Sequence, residues 1–210
     1  MLGANMKNIN KYYHSVVEHP ELLEWELNIY KKLITNNDKS LLDLGCGAGE
    51  FLRAAKKFFR DELGVDINPD AVRICKKKNI PVVLADATNT KLKANSFDVV
   101  RAMNLIEHLP DVEKLILEAR RLLKKNGYLV LHAPTQWSIL YPVTNFYDDY
   151  THVKPISKHG LERLMSDTGF EIVHLTGYTL GRNRWETLMG KVLGKIFPFS
   201  WFLVARKKLV

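Results

Sequence analysis

The sequence predicts an α/β fold, a mostly parallel β-sheet with helices packed against it. Three observations carry this. A short apolar run at residues 40–44 ends in a glycine cluster, and apolar residues then recur at helical spacing at Phe51, Leu52, Ala55, Phe58 and Phe59. Strand-like runs and amphipathic helix-like stretches alternate through five repeats up to residue 133, the pattern of parallel strands joined by helical crossovers. Three acids, Asp43, Asp66 and Asp86, sit at or near the ends of the first three strands, one repeat apart. Open α/β sheets take their ligands at that end of the strands.

The composition bounds the rest. A chain of 210 residues fits one domain and can bury a sizeable core. With 46% hydrophobic residues it is globular rather than disordered. Its two cysteines, Cys46 and Cys75, have neither metal-ligand spacing nor a disulfide framework, so no metal and a reducing, cytoplasmic compartment are expected. Residues 1–10 have no apolar core of a signal peptide, and no run of about 18 apolar residues predicts a membrane-spanning helix. The net charge is +8, but residues 182–210 hold seven basic residues and one acid, which is +6 of it. The body is nearly balanced, and this argues against a nucleic-acid partner.

In chain order, residues 8–32 read as one or two helices forming an N-terminal cap (1–34), with Pro20 suited to a helix start. Residues 40–44 are the first strand. The turn that follows holds Gly45, Gly47 and Gly49, where backbone without Cβ atoms can bend sharply against a ligand. A dinucleotide turn needs a glycine at position 50, which is Glu50 here, so a nicotinamide oxidoreductase is disfavoured. Residues 62–67 form the second strand, ending in Asp66, 17 residues beyond Gly49 and positioned to accept bonds from ribose hydroxyls. Asn68 and Pro69 open a helix running to Lys78. Residues 80–84 are the third strand, followed by Asp86 and Ala87, and residues 96–103 the fourth, ending at Met103. Residues 112–124 are an amphipathic helix stopped by Asn126-Gly127, and residues 128–133 the fifth strand.

The G-x-G-x-G turn preceded by Asp43, together with the stretch from Phe97-Asp98-Val99-Val100 to Glu107-His108-Leu109-Pro110-Asp111, resembles the class I S-adenosylmethionine-dependent methyltransferases of the small-molecule type (types 11 and 23). The resemblance covers residues 35–175 well and the termini loosely. It implies a Rossmann-like three-layer sandwich with a seven-stranded sheet, the last strand entering antiparallel between the fifth and sixth. It implies S-adenosylmethionine as cofactor and S-adenosylhomocysteine as product. Asp43, Gly45, Cys46, Gly47, Gly49, Asp66, Ile67, Asp86, Ala87 and Met103 would bind it, with Asp86 at the adenine amine. Tyr13, in the aromatic segment 11–14, would lie over the cofactor or pack as an ordinary core tyrosine. The motifs of amino-group methylation on adenine and of cytosine C5 methylation are absent, so neither cysteine reads as a nucleophile.

After the fifth strand the periodicity breaks. Residues 134–156 are long, aperiodic and rich in aromatics, and such loops are uncommon unless functional. They read as the acceptor-side loop, with Tyr147, Tyr150 and His152 as substrate residues; residues 147–153 resemble a D-x-T-H-V stretch of small-molecule methyltransferases. A helix starts at Ser157 and ends near Gly169, residues 170–175 are the sixth strand and 199–205 the last. Within the basic insertion 182–198, residues 184–197 pair an apolar stripe with Arg184, Lys191 and Lys195. That stripe suits a core contact, a homodimer contact or a peripheral membrane surface, the last favouring a lipid- or sugar-linked acceptor.

An activated sulfonium methyl needs mainly an acceptor held on its axis. Where the acceptor must lose a proton, His152 is the first candidate base and His108 the second; His108 equally suits a helix cap or a bridge to the sheet. Three rivals remain: a cofactor-binding subunit that serves a catalytic partner without itself reacting, the nicotinamide oxidoreductase that Glu50 disfavours, and a membrane-surface protein carried only by the tail.

Overall fold

The computed structural model describes residues 20–33, 39–140, 146–178 and 196–209. Its strands are β1 (Ser40–Leu44), β2 (Asp61–Asp66), β3 (Val82–Leu84), β4 (Phe97–Met103), β5 (Leu123–Pro134), β6 (Phe170–Tyr178) and β7 (Ser200–Lys207). They form a seven-stranded sheet in the order β3-β2-β1-β4-β5-β7-β6. The described helices are α1 (Pro20–Leu33), α2 (Glu50–Ala55), α3 (Pro69–Lys77), α4 (Val112–Leu122) and α5 (Lys158–Asp167). Two compact units divide the chain, residues 1–91 and 92–210.

In the first unit every residue of β1 is buried, as expected of a parallel strand covered on both faces. It pairs in parallel with β2, Asp43 opposite Gly64 and Leu44 opposite Val65, and β2 pairs in parallel with β3. The helix expected from the apolar spacing of Phe51 to Phe59 is shorter: α2 stops at Ala55. The amide of Phe58 bonds to Ala55 O at 2.8 Å, tightening the last turn. The chain then leaves helical geometry with Phe59 buried, and Tyr30 of α1 meets its ring edge-on at 5.7 Å. Asn68 caps α3 by accepting from the Asp70 amide at 2.9 Å, with Pro69 at the first helical position. The third strand is two residues shorter than expected because Pro81 has no N–H to contribute; its carbonyl instead accepts from Gly64 N.

In the second unit β4 and β5 are parallel, and β7 runs antiparallel between β5 and β6, Leu131 opposite Leu203 and Leu203 opposite Leu175. The last strand therefore enters as expected. α4 passes directly into β5, which begins at Leu123 rather than Tyr128, with Phe97 paired to Leu123. Asn126 takes φ 60°, the left-handed region that asparagine tolerates. Ser157 caps α5, its hydroxyl accepting from Gly160 N at 3.0 Å.

The described part of 134–156 is not structureless. It holds 3-10 turns at Gln136–Leu140 and Phe146–Asp148 and a bridge between Thr135 and Ile156. Thr135, Ser138 and Phe146 are buried and anchor it, and Ile156 O accepts from the Trp201 indole at 3.2 Å. Tyr13 and residues 184–195 lie outside the described residues. Ile196 and Phe197 are exposed, and Phe197 meets Trp137 edge-on at 4.8 Å. Among the described residues no helix is long and apolar enough to cross a membrane.

Candidate cofactor site and histidine cluster

The glycine turn after β1 is built to lie close against β2. Gly45 N and Cys46 N both donate to Val65 O, at 2.8 and 3.1 Å. Gly45, Gly47 and Gly49 all have positive φ, at 74°, 54° and 80°. A Cβ on Gly49 would stand 2.7 Å from Ile80 Cδ1 and 3.0 Å from Cys75 Sγ, and one on Gly64 would stand 2.5 Å from Cys46 Sγ. The turn thus needs glycine both for its backbone path and for its closeness to neighbouring side chains.

Asp66 closes this turn. Its Oδ2 accepts from Gly47 N and its Oδ1 from Asn68 N, both at 2.8 Å. Burial raises its carboxyl above the usual range, and the backbone bonds from Asn68 and Gly47 pull the other way. One acid therefore ties the glycine turn to the start of α3. Each carboxylate oxygen keeps a second lone-pair direction for a further donor. Ile67, next in sequence, is 71% exposed. Asp86 is exposed beyond β3, with Oδ1 held by the amide and hydroxyl of Thr88, each at 2.8 Å, and Ala87 beside it is half-buried. Asp43 is buried within β1. Cys46 and Cys75 are free and buried side by side; the hydrogen bond with the Cys75 side chain, burial and the charges of Asp43 and Asp66 push the Cys46 thiol up. A thiol so held is no nucleophile. Met103, half-buried, ends β4.

A second cluster gathers past the ends of β4 and β5. Glu107 and His108 stand in the 3-10 turn Ile106–His108, and Asp149, Thr151 and His152 follow the turn Phe146–Asp148. The amide of Val153 donates to Glu107 O at 2.7 Å and docks the two segments. The His108 and His152 rings lie 4.8 Å apart, and Phe146 packs 4.6 Å from His152. Burial and the neighbouring His152 pull His108 below its ordinary range, against Asp149 and Thr151. Burial pushes Glu107 up to about 8, with Asp149's charge adding to it. Burial alone would raise Asp149, but the bonds from Thr151 and the nearby histidines bring it below the usual range. Tyr147 and Tyr150 are 60% and 83% exposed. Sequence reasoning named both histidines but missed Glu107, Asp149 and Thr151, because nothing local tells that residues 108 and 151 meet.

Known proteins give this arrangement its family. The methyltransferase domain family Methyltransf_23 matches residues 21–175, well over half of the chain. A ubiquinone biosynthesis O-methyltransferase of Coxiella burnetii is 26% identical over 167 residues, 68% of this chain and 71% of that protein. An uncharacterized 37.1 kDa protein in transposon TN4556 of Streptomyces fradiae is 32% identical over 152 residues, 64% of this chain and 44% of that protein. The chain spans about half the length of several such curated relatives. The crystal structure of a SAM-dependent methyltransferase from Archaeoglobus fulgidus is similar with a TM-score of 0.68 and 25% identity, over 93% of this chain and 100% of that one. With its glycine turn, strand-end acids and seven-stranded sheet, the chain belongs to the class I S-adenosylmethionine-dependent methyltransferases, in the type 23 methyltransferase domain family.

Proposed function

We propose that this chain transfers the methyl group of S-adenosylmethionine to a small-molecule acceptor. The observation that carries the reading is the double hold of Asp66 on Gly47 and Asn68, which fixes an acid, a glycine turn and a helix start as one preformed surface. The free lone-pair directions of Asp66 suit the ribose hydroxyls, the exposed Ile67 suits a face of the adenine, and Asp86 suits its amine. When bound, the cofactor supplies an already activated methyl group. The protein's part is then to hold an acceptor on the methyl axis. The binding test is Asp66→Ala, which should weaken S-adenosylhomocysteine binding by about 1.5–3 kcal/mol in calorimetry; unchanged affinity would remove Asp66 from the site.

The acceptor side of this reading is the segment 146–153. Two exposed tyrosines and a half-buried histidine stand there beyond the end of β5, on the ligand side of an α/β sheet. The name of the Coxiella burnetii relative supports an oxygen acceptor; lipid-linked and sugar-linked forms are the arms to compare. Tyr150→Ala should lower turnover by about tenfold or more while cofactor affinity stays within about twofold. Equal loss of both would move Tyr150 out of the acceptor site.

A further inference from the structure

We propose that Glu107, His108 and His152 form a binding site for one divalent transition-metal cation of the Zn2+ or Mn2+ kind. One potential ligand atom from each of the three lies within 4.8 Å of the others, so side-chain shifts of about 1 Å bring all three to bonding distance of one cation. The set of two imidazoles and one carboxylate is the donor chemistry of three-ligand zinc and non-haem sites, which leave a coordination position open.

Two independent features point to a ligand. Glu107 is 2% exposed, and its Oε2 is buried without a hydrogen-bond partner. An isolated buried carboxylate is costly, and buried charges are normally paired or bind metals. The second feature is the fixing of the imidazole tautomers. His152 Nδ1 lies 2.7 Å from Phe146 O, a pure acceptor, so Nδ1 carries the proton and Nε2 keeps its lone pair. Thr151 spends its hydroxyl proton on Asp149 Oδ1 at 2.6 Å, so its oxygen accepts from His108 Nδ1 at 2.9 Å. His108 Nε2 is thereby left unprotonated as well. Both rings are held in the metal-binding tautomer by a partner at the other nitrogen, the arrangement that orients ligating histidines. Asp149 Oδ2, 3.8 Å from His152 Nε2, supplies one negative charge, and Glu107 supplies the second once the ion displaces its proton, so the two carboxylates match a 2+ ion.

The test uses tag-free full-length chain stripped with a chelator and titrated calorimetrically with Zn2+, Mn2+ and Mg2+ separately. The expected result is saturable binding of one Zn2+ or Mn2+ per chain with a rise in melting temperature. Glu107→Gln and His152→Gln should each weaken that binding by about tenfold or more, while binding S-adenosylhomocysteine as the wild type does, which reports an intact fold. Thr151→Val should weaken metal binding about 10–100-fold, and Thr151→Ser should restore it. No saturable binding to the wild type would overturn the proposal, as would Gln variants binding the ion equally well. Loss of S-adenosylhomocysteine binding in the wild type would instead strike the cofactor reading and leave the metal site standing.

Discussion

At the scale of single residues, the chain separates groups whose part is legible in sequence from groups whose part depends on the fold. Asp66 could be named because a fixed number of residues separates it from the glycine turn. Its hold on Gly47 could not, because that bond crosses from one βα repeat to the next. His132 is the opposite case: nothing in the continuous apolar run of β5 marks it, yet it is buried, and burial followed by the charge of Arg101 lowers its imidazole to about 3. The folded form therefore resists a proton that the unfolded chain takes up near 6.5. The stability this neutral ring contributes is full above pH 6.5 and is lost as pH falls from there towards 3. Wild-type unfolding free energy, measured by urea titration from pH 7 to 5, should fall below pH 6.5 with a slope approaching about 1.4 kcal/mol per pH unit relative to His132→Phe. Parallel pH profiles for the two proteins would contradict the assignment.

At the scale of elements, the sequence located all seven strands within a few residues, since apolar runs and punctuation by glycine, proline and asparagine are local signals. The misses have local causes too. Lys124 read as the end of a helix and Asn126-Gly127 as its stop, yet β5 already runs through them, because pairing with β4 begins at Leu123. The segment after β5 looked aperiodic because its order comes from short turns and side-chain bonds, such as those of Thr135 and Ser138, not from a repeat. Where a cap signal was written in sequence it held: Asn68 starts α3 with its side chain on Asp70 N. Asn68→Ala should cost about 1 kcal/mol of stability, read as a lower denaturation midpoint at unchanged slope. No change in midpoint would make that bond incidental.

At the scale of the whole molecule, family and fold follow from features confined to short stretches: a glycine turn one residue tighter than a dinucleotide fingerprint, and acids at successive strand ends. These survive in a single sequence because a close backbone approach demands glycine and a polar ligand demands acceptors at a strand end. The histidine cluster was half legible, two histidines without the buried Glu107 that faces them, since chain order does not tell which loops meet beyond a sheet. The central claim is that the preformed surface of Gly45, Gly47, Gly49 and Asp66 receives an adenosyl thioether or sulfonium and not a dinucleotide. Calorimetric titration of the full chain with S-adenosylhomocysteine, and separately with NAD, tests it most directly. The expected result is saturable heat at one S-adenosylhomocysteine per chain and none with NAD; heat with NAD and none with S-adenosylhomocysteine would contradict it.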